Sequence, residues 1–173
     1  MKKTFLLLAG VIAFVLTACQ KSDEVSVLEG GYTYKLSGVV TVQQSDTILS
    51  EVHLTPESGT MVASHTANEN EILLSFNQNS GDAYDMTAKV GQDSLFLRPI
   101  HRTIEVEVAQ DTLLLGYVVK HRESFDIEVK GAGHRLTNGD VCLMLSYTGV
   151  AANDTTCRLT GENIHVHCKQ NAN

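Results

Sequence analysis

The sequence contains no tryptophan, only two prolines, and no apolar run long enough to cross a bilayer as a helix. Its long apolar run, residues 4–15, has twelve residues, whereas a transmembrane helix needs about 20. Beyond residue 30, no window repeats apolar residues with the 3.6-residue period of an amphipathic helix. These absences exclude a helical bundle and favour a domain built from β-strands.

Basic residues are also scarce, with 13 lysines and arginines against 20 acidic residues and a formal charge of −7. Nucleic-acid-binding proteins present basic surfaces, so this balance excludes that class of partner. The chain also lacks Gly-x-Ser-x-Gly, His-Glu-x-x-His, Cys-x-x-Cys and a phosphate-binding glycine loop. We therefore predict a protein that is not an enzyme and that holds no cofactor.

The amino-terminal segment has the composition of a secretory signal. Lys2 and Lys3 precede the apolar run, which ends in Leu16-Thr17-Ala18-Cys19. This tetrapeptide resembles the lipobox of bacterial lipoproteins. The resemblance implies cleavage before Cys19 and lipidation of Cys19, with acyl chains that anchor the protein to a membrane. The predicted organisation is a signal peptide (1–18), a lipidated cysteine with a flexible tether (19–30) and a single all-β domain (31–173).

The residues after Cys19 bear on localisation. Lys21-Ser22-Asp23-Glu24 partly resembles a signal that exports lipoproteins to the outer face of the outer membrane in some Gram-negative bacteria. The alternative is an ordinary polar tether on the periplasmic face. Removal of the leader takes away two lysines and leaves a formal charge of −9. We expect the acyl chains alone to hold so acidic a domain at a membrane.

Apolar and polar residues alternate with a period of two along much of the chain, as half-buried strands require. The clearest cases are Thr103–Val108 and Ser124–Lys130. The other predicted strands are Tyr34–Val42, Thr47–Leu54, Met61–His65, Ile72–Phe76, Tyr84–Val90, Ser94–Leu97, Leu113–Val119, Val141–Tyr147 and Arg158–His167. Predicted turns are Asn79-Ser80-Gly81-Asp82, Val90-Gly91-Gln92-Asp93, Ala109-Gln110-Asp111 and Asn138-Gly139-Asp140.

This pattern predicts an all-β antiparallel meander. Closure into a barrel would remove exposed sheet edges. The length and strand count resemble the calycin or lipocalin-like barrels of small bacterial lipoproteins, which implies a closed or nearly closed barrel. The alternative is a two-sheet β-sandwich.

Three cysteines follow Cys19, an odd number for an oxidising compartment. Alternation places Cys142 and Cys168 on opposite faces of their strands, so we favour a Cys142–Cys157 disulfide. The alternative is three reduced thiols. His165 and His167 lie two residues apart on one strand face, about 7 Å apart along the backbone, and are the candidate metal ligands. No third ligand has a fixed spacing to them, so the alternative is a solvent-facing pair.

A triplet of Asp, a hydroxyl residue and then Ile, Leu or Thr occurs four times and resembles a bacterial O-glycosylation sequon. The candidate acceptors are Thr47, Ser94, Thr112 and Thr155. The alternative is that Asp ends a turn and the next residue begins a strand.

Two functions remain open. The first is a lipid-anchored binding module, a barrel that holds a small apolar or amphipathic ligand in its lumen. The second is a protein-interaction subunit of an envelope complex, or a protease inhibitor.

Overall fold

The computed structural model describes residues 23–45, 47–114 and 117–171, so the predicted signal peptide and the lipidation at Cys19 lie outside it. In these ranges, no helix has the length and apolar character needed to span a membrane. The elements are α1 (Asp23–Ser26), β1 (Gly30–Ser37), β2 (Val39–Gln44), β3 (Thr47–His53), β4 (Glu57–His65), β5 (Glu71–Gln78), β6 (Ala83–Gly91), β7 (Ser94–Leu114), β8 (Tyr117–Arg135), β9 (Val141–Ala151) and β10 (Cys157–Gln170).

Eight of the strands form a closed antiparallel barrel. Their order is β1-β4-β5-β6-β7-β8-β9-β10, and β1 also pairs with β10, which closes the cylinder. The hairpin β2–β3 is an addition, since β2 pairs with the first residues of β10 and β3 pairs with β2. The predicted all-β barrel is therefore confirmed, and the sandwich is not formed.

The two-residue alternation decides which side chains fill the barrel. In β8, Phe125, Ile127 and Val129 are buried, while the intervening Asp126 and the next residue, Lys130, are exposed. Because neighbouring strands keep the same register of inward residues, their apolar side chains meet in one core. The largest fully buried side chains are Tyr32, Tyr34, Phe76, Phe125, Met61, Ile72, Leu74, Met86, Leu95, Ile127, Leu143 and Leu159. The middle of the barrel is thus filled by side chains.

A close backbone crossing separates β1 from β2. A Cβ at Gly38 would lie 2.9 Å from Ile164 Cγ1 and 3.1 Å from Ile164 Cα, so only glycine fits there. Opposite this point β10 has a register shift between Gly161 and Ile164, and Asn163 has a φ of 57°. The predicted single strand Tyr34–Val42 is therefore two strands, with one half in the barrel and the other in the added hairpin.

The strand β7 leaves its neighbour β6 early. Their pairing covers only Ala88–Gly91 and Ser94–Leu97. A register shift with β8 follows between Leu97 and Ile100 and includes Pro99, which has no amide hydrogen to donate to a ladder. Beyond Pro99, β8 is the one described strand that pairs with β7, and the barrel wall is open at this end.

The predicted turn Ala109-Gln110-Asp111 is wrong. These residues lie inside β7, and the hairpin reverses between Leu114 and Tyr117. The predicted strand Leu113–Val119 therefore consists of the two arms of one hairpin. The turns at Asn79–Asp82, Gly91–Asp93 and Asn138–Asp140 are formed as predicted.

The opposite end of the barrel is closed by the residues that precede β1. Val25 and Leu28 are buried there, and the Tyr32 hydroxyl donates to the Leu28 carbonyl over 2.8 Å. The backbone amide of Gln92 donates to Glu24 Oε2 over 3.0 Å, which fixes α1 beside the β6–β7 turn. Within the predicted flexible tether (19–30), residues 23–30 are thus packed against the barrel because they carry two apolar side chains that fill its end.

Candidate ligand-binding site

A cavity of about 480 Å³ lies at the open end of the barrel. It forms where β7 has separated from β6. Side chains of β7 therefore face the start of β4, the end of β5 and the residue before β6. The cavity is lined by Leu36, Leu54, Thr55, Glu57, Gln78, Asp82, Arg102, Thr103, Ile104, Glu105, Ser124 and Tyr147. Its wall therefore combines apolar, acidic, basic and neutral polar groups.

A stack of aromatic rings supports one side of the cavity. Phe76 and Tyr84 are parallel with ring centroids 4.9 Å apart, and Tyr34 meets Phe76 edge-on at 5.1 Å. The Arg102 guanidinium lies over the outer face of Tyr84, with Cζ 4.1 Å from the ring centroid. This distance is within the range of a cation–π interaction, so the buried Phe76 ring positions Arg102 through Tyr84.

Glu57 accepts hydrogen bonds from the same aromatic group. The Tyr34 hydroxyl donates to Glu57 Oε1 over 2.7 Å, and the Tyr84 hydroxyl makes a longer contact of 3.5 Å with the same oxygen. Burial, followed by the neighbouring Glu57 carboxylate, raises the pKa of both tyrosines. Burial also raises the pKa of Tyr147 to about 12. These phenols keep their protons at neutral pH, and Tyr34 and Tyr84 use them to donate to Glu57.

The charged groups of the cavity are only partly paired. Its lining contains three carboxylates, Glu57, Asp82 and Glu105, and one guanidinium, Arg102. Among the described residues, no carboxylate oxygen lies within 4.0 Å of the Arg102 guanidinium. Gln78 Nε2 is buried, and the described part of the chain offers it no acceptor. The cavity therefore holds unused donors beside unused acceptors.

A second groove of about 460 Å³ lies between β3 and β7. β3 is the last strand of the sheet and pairs only with β2, so its other edge faces this groove. Glu51, Glu105 and Glu107 line it together with Lys120 and Arg122. Leu54 lines both this groove and the barrel-end cavity, which makes the two spaces neighbours.

The predicted Cys142–Cys157 disulfide is not formed. Cys142 lies opposite His167 at one end of the β9–β10 pair, whereas Cys157 lies opposite Gln44 at the other end. Ten strand residues separate the two positions along β10, about 30 Å, and a disulfide requires Cα atoms within about 7 Å. Cys142, Cys157 and Cys168 are all free thiols. The predicted opposition of Cys142 and Cys168 is confirmed, since Cys168 is buried and Cys142 is partly exposed on the outer face.

His165 and His167 lie on the exposed outer face of β10, as their spacing predicts. The His167 ring contacts Asp140 Oδ2 at 3.2 Å. Nowhere in the described ranges do three or more histidine, cysteine or acidic side chains converge in a way that would hold a metal ion. His167 is instead part of a surface network in which Asp140 also accepts a hydrogen bond from the backbone amide of Gln170 over 3.0 Å.

The candidate glycosylation residues occupy different surroundings. Thr47 and Thr155 are exposed, and Ser94 is half-buried at the start of β7. Thr112 lies within β7. Asp154 Oδ1 accepts hydrogen bonds from the Thr156 amide and hydroxyl at 2.9 and 2.7 Å. At this triplet the aspartate therefore has the turn-forming role that was the alternative explanation.

Glu57, Tyr84 and Arg102 were not among the residues singled out from the sequence. They lie on three strands and come together only when the barrel closes. One signal was present, because Arg102 falls between Ile100 and Ile104 on the inward face of β7. An arginine on the apolar face of a strand indicates a special environment.

Comparison with models of known protein families finds no match, and a search of curated protein sequences finds none either. The site is therefore interpreted from its own geometry.

Proposed function

We propose that this protein is an exported, lipid-anchored lipoprotein whose barrel binds a small amphipathic ligand without catalysis. The observation that carries this proposal is the cavity of about 480 Å³ at the open end of the barrel. Ligand sites are concave and combine apolar walls with polar groups that fix orientation, and eight of the twelve lining residues of this cavity are polar or charged. Leu36, Ile104 and Tyr147 supply the apolar part here, and Glu57 and Arg102 supply the polar part.

The cavity lies at the end of the barrel and not in its lumen, where the strand pattern places the ligand. The middle of this barrel is filled by large side chains such as Tyr32, Phe76 and Phe125. A ligand in the end cavity would instead rest on this packed core. Support from a rigid core favours binding because the protein side chains lose less conformational entropy when the ligand binds.

The proposed anchor agrees with this arrangement. The first described residues form α1, which lies beside the β6–β7 turn at one end of β6. The other end of β6 begins at Ala83, next to the cavity residue Asp82. The two ends of β6 are about 26 Å apart. An acylated Cys19 would hold the α1 end at an outer membrane and leave the cavity facing away from it. Our proposal places the protein on the cell surface, with the periplasmic face as the alternative.

Calorimetry with four single-chain probes tests the binding function. The probes are octyl β-glucoside, octyl sulfate, octyltrimethylammonium and octanol, titrated into the full lipidated chain in phospholipid nanodiscs, with empty nanodiscs as the blank. We expect one-site binding of at least one probe to the wild-type protein. Ile104→Trp, which fills the cavity, should abolish it, and Ile48→Trp, at a side chain that is 58% exposed on β3, should leave it unchanged. If no probe binds, or if Ile104→Trp binds as well as wild type, the proposed function is wrong.

A protein-interaction function is the second candidate. Phe96 and Met144 are 60% and 48% exposed on the outer face, and Ala132 lies between them in register. An exposed apolar patch across three strands is typical of an interaction surface. Crosslinking in intact cells tests this candidate. A partner that is captured by the wild-type protein but not by the double variant Phe96→Ser, Met144→Ser would support this function. A monomer recovered without a partner would count against it.

A further inference from the structure

The hydrogen-bonding groups of the barrel-end cavity indicate the chemical class of its ligand. The acceptors are the carboxylates of Glu57, Asp82 and Glu105, and the donors are the Arg102 guanidinium and the Gln78 amide. Both kinds line one space of about 480 Å³. A ligand that fills this space must therefore satisfy groups of both kinds.

The two donors lack partners in the described part of the protein. The Arg102 Cζ lies 4.1 Å from the centroid of the Tyr84 ring, and no described residue accepts a hydrogen bond from the guanidinium. Gln78 Nε2 is buried and has no acceptor, while Gln78 Oε1 accepts from the Ser80 hydroxyl over 2.9 Å. A buried donor without an acceptor is unfavourable, and because Gln78 Nε2 is shielded from solvent, the Gln78 side-chain amide must turn toward the cavity to donate to a ligand oxygen.

The acceptors also have free capacity. Glu57 Oε1 accepts from Tyr34 at 2.7 Å, but within the described ranges no hydrogen bond engages Glu57 Oε2. Asp82 makes no side-chain hydrogen bond to a described residue. The nearest cation to Glu105 is Arg122, at 3.9 Å on the exposed surface. Each carboxylate can therefore accept a hydrogen bond from a ligand.

Charged ligands fit this arrangement poorly. An anionic head would gain Arg102 but would face the carboxylate of Glu57 and, at the exposed rim of the cavity, those of Asp82 and Glu105. A cationic head would gain those carboxylates but would meet the guanidinium that already covers Tyr84. A hydroxyl group has one donor hydrogen and two acceptor lone pairs, so it can bond to a carboxylate and to a guanidinium at the same time.

We propose that the cavity binds a neutral polyhydroxylated group, a saccharide, with its hydroxyls between the carboxylates and the Arg102–Gln78 donors. The apolar C–H face of the sugar would pack on Tyr147, Leu36 and Ile104, which line the same space. This inference rests on the proposed binding function and adds the chemical class of the ligand.

The four octyl probes described above separate this inference from binding in general, because they share one chain and differ only in their heads. We expect octyl β-glucoside to bind about 10-fold or more tightly than octyl sulfate, octyltrimethylammonium and octanol. A charged head that binds more tightly than the glucoside overturns the inference. Equal affinities for all four also overturn it, although the binding function then stands. Failure of every probe to bind removes the binding function and the inference together.

Arg102→Met adds a second readout. Loss of the guanidinium removes donors for hydroxyls and leaves the three carboxylates unopposed. We expect octyl β-glucoside to bind about 10-fold more weakly and octyltrimethylammonium to become the preferred charged probe. Arg158→Met, at an exposed arginine on β10, is the matched control and should keep the wild-type order. If Arg102→Met is folded by circular dichroism and keeps the wild-type order, Arg102 has no role in the selection and the inference fails.

Discussion

The Tyr34 hydroxyl donates to Glu57 Oε1 over 2.7 Å and joins the barrel core to the wall of the cavity. Tyr34 is buried, with its ring edge-on to Phe76, whereas Glu57 is half-buried at the start of β4. The carboxylate is thus oriented by a side chain that cannot move without disturbing the core. This contact makes the cavity a rigid extension of the packed interior.

Removing this hydroxyl should destabilise the protein. We expect Tyr34→Phe to lower the free energy of unfolding by about 1–2 kcal/mol, because it removes a hydrogen bond to a carboxylate in a partly buried position. Tyr84→Phe should cost less, since its contact with the same oxygen is 3.5 Å long. Urea denaturation followed by circular dichroism measures both. An equal or larger loss for Tyr84→Phe would show that the short contact is not the dominant one.

The aromatic stack should depend on Phe76. Its ring is 1% exposed and packs between Tyr34 and Tyr84. We expect Phe76→Ala to lower the free energy of unfolding by about 3–5 kcal/mol, through lost burial and a cavity. Phe96→Ala is the control and should stay within about 0.5 kcal/mol of wild type, because that ring lies on the surface. Similar losses for the two variants in urea denaturation would contradict the packing described here.

The three thiols should react at different rates. Burial raises the pKa of the Cys168 thiol to about 12, and burial also raises the pKa of Cys157. Since the thiolate is the reactive form, iodoacetamide at neutral pH should label Cys142 first in the folded protein. Peptide mass spectrometry measures the order. A disulfide-linked Cys142–Cys157 peptide from the unreduced protein would contradict the strand register of β9 and β10.

Acid should weaken the network at the α1 end of the barrel. The hydrogen bond from the Gln170 amide is the main cause that lowers the pKa of Asp140 below its ordinary 3.8. A lowered folded-state pKa means that this stabilisation is complete above 3.8 and is lost as pH falls through the folded-state value. Asp140→Asn should therefore lose less stability than wild type between about pH 6 and pH 2.5. Urea denaturation at the two pH values measures the difference, and identical losses would exclude this role for Asp140.

Local patterns in the sequence predicted much of the fold. The alternation of Ser124–Lys130 places the same side chains inward that β8 buries, because one buried face imposes a period of two. The turn at 109–111 was misplaced because Gln110 and Asp111 have turn-like character, yet Ala109 and Gln110 pair with β8, and Asp111 lies in a register shift before the pairing resumes at Leu113. Local preference is overridden there by the pairing of two strands.

The candidate site was beyond such reasoning for a different reason. Glu57 and Arg102 are 45 positions apart in the sequence, and only barrel closure with the early departure of β7 from β6 brings them to one cavity. No local spacing records this proximity. The split at Gly38 was missed for the same reason, because the atoms that require glycine there belong to Ile164 on β10.

The central claim is that a ligand binds at the open end of the barrel, and the most direct test is to locate the residues that a bound ligand contacts. The full chain, produced with its leader and reconstituted in nanodiscs, is irradiated with an octyl β-glucoside that carries a diazirine in its chain, and the modified residues are located by mass spectrometry. We expect crosslinks on Leu54, Thr55, Glu57 and residues 102–105, which line the barrel-end cavity, and loss of these crosslinks in Ile104→Trp. Crosslinks confined to the exposed patch around Phe96 and Met144, or crosslinks that persist in Ile104→Trp, would contradict a ligand site at the open end of the barrel.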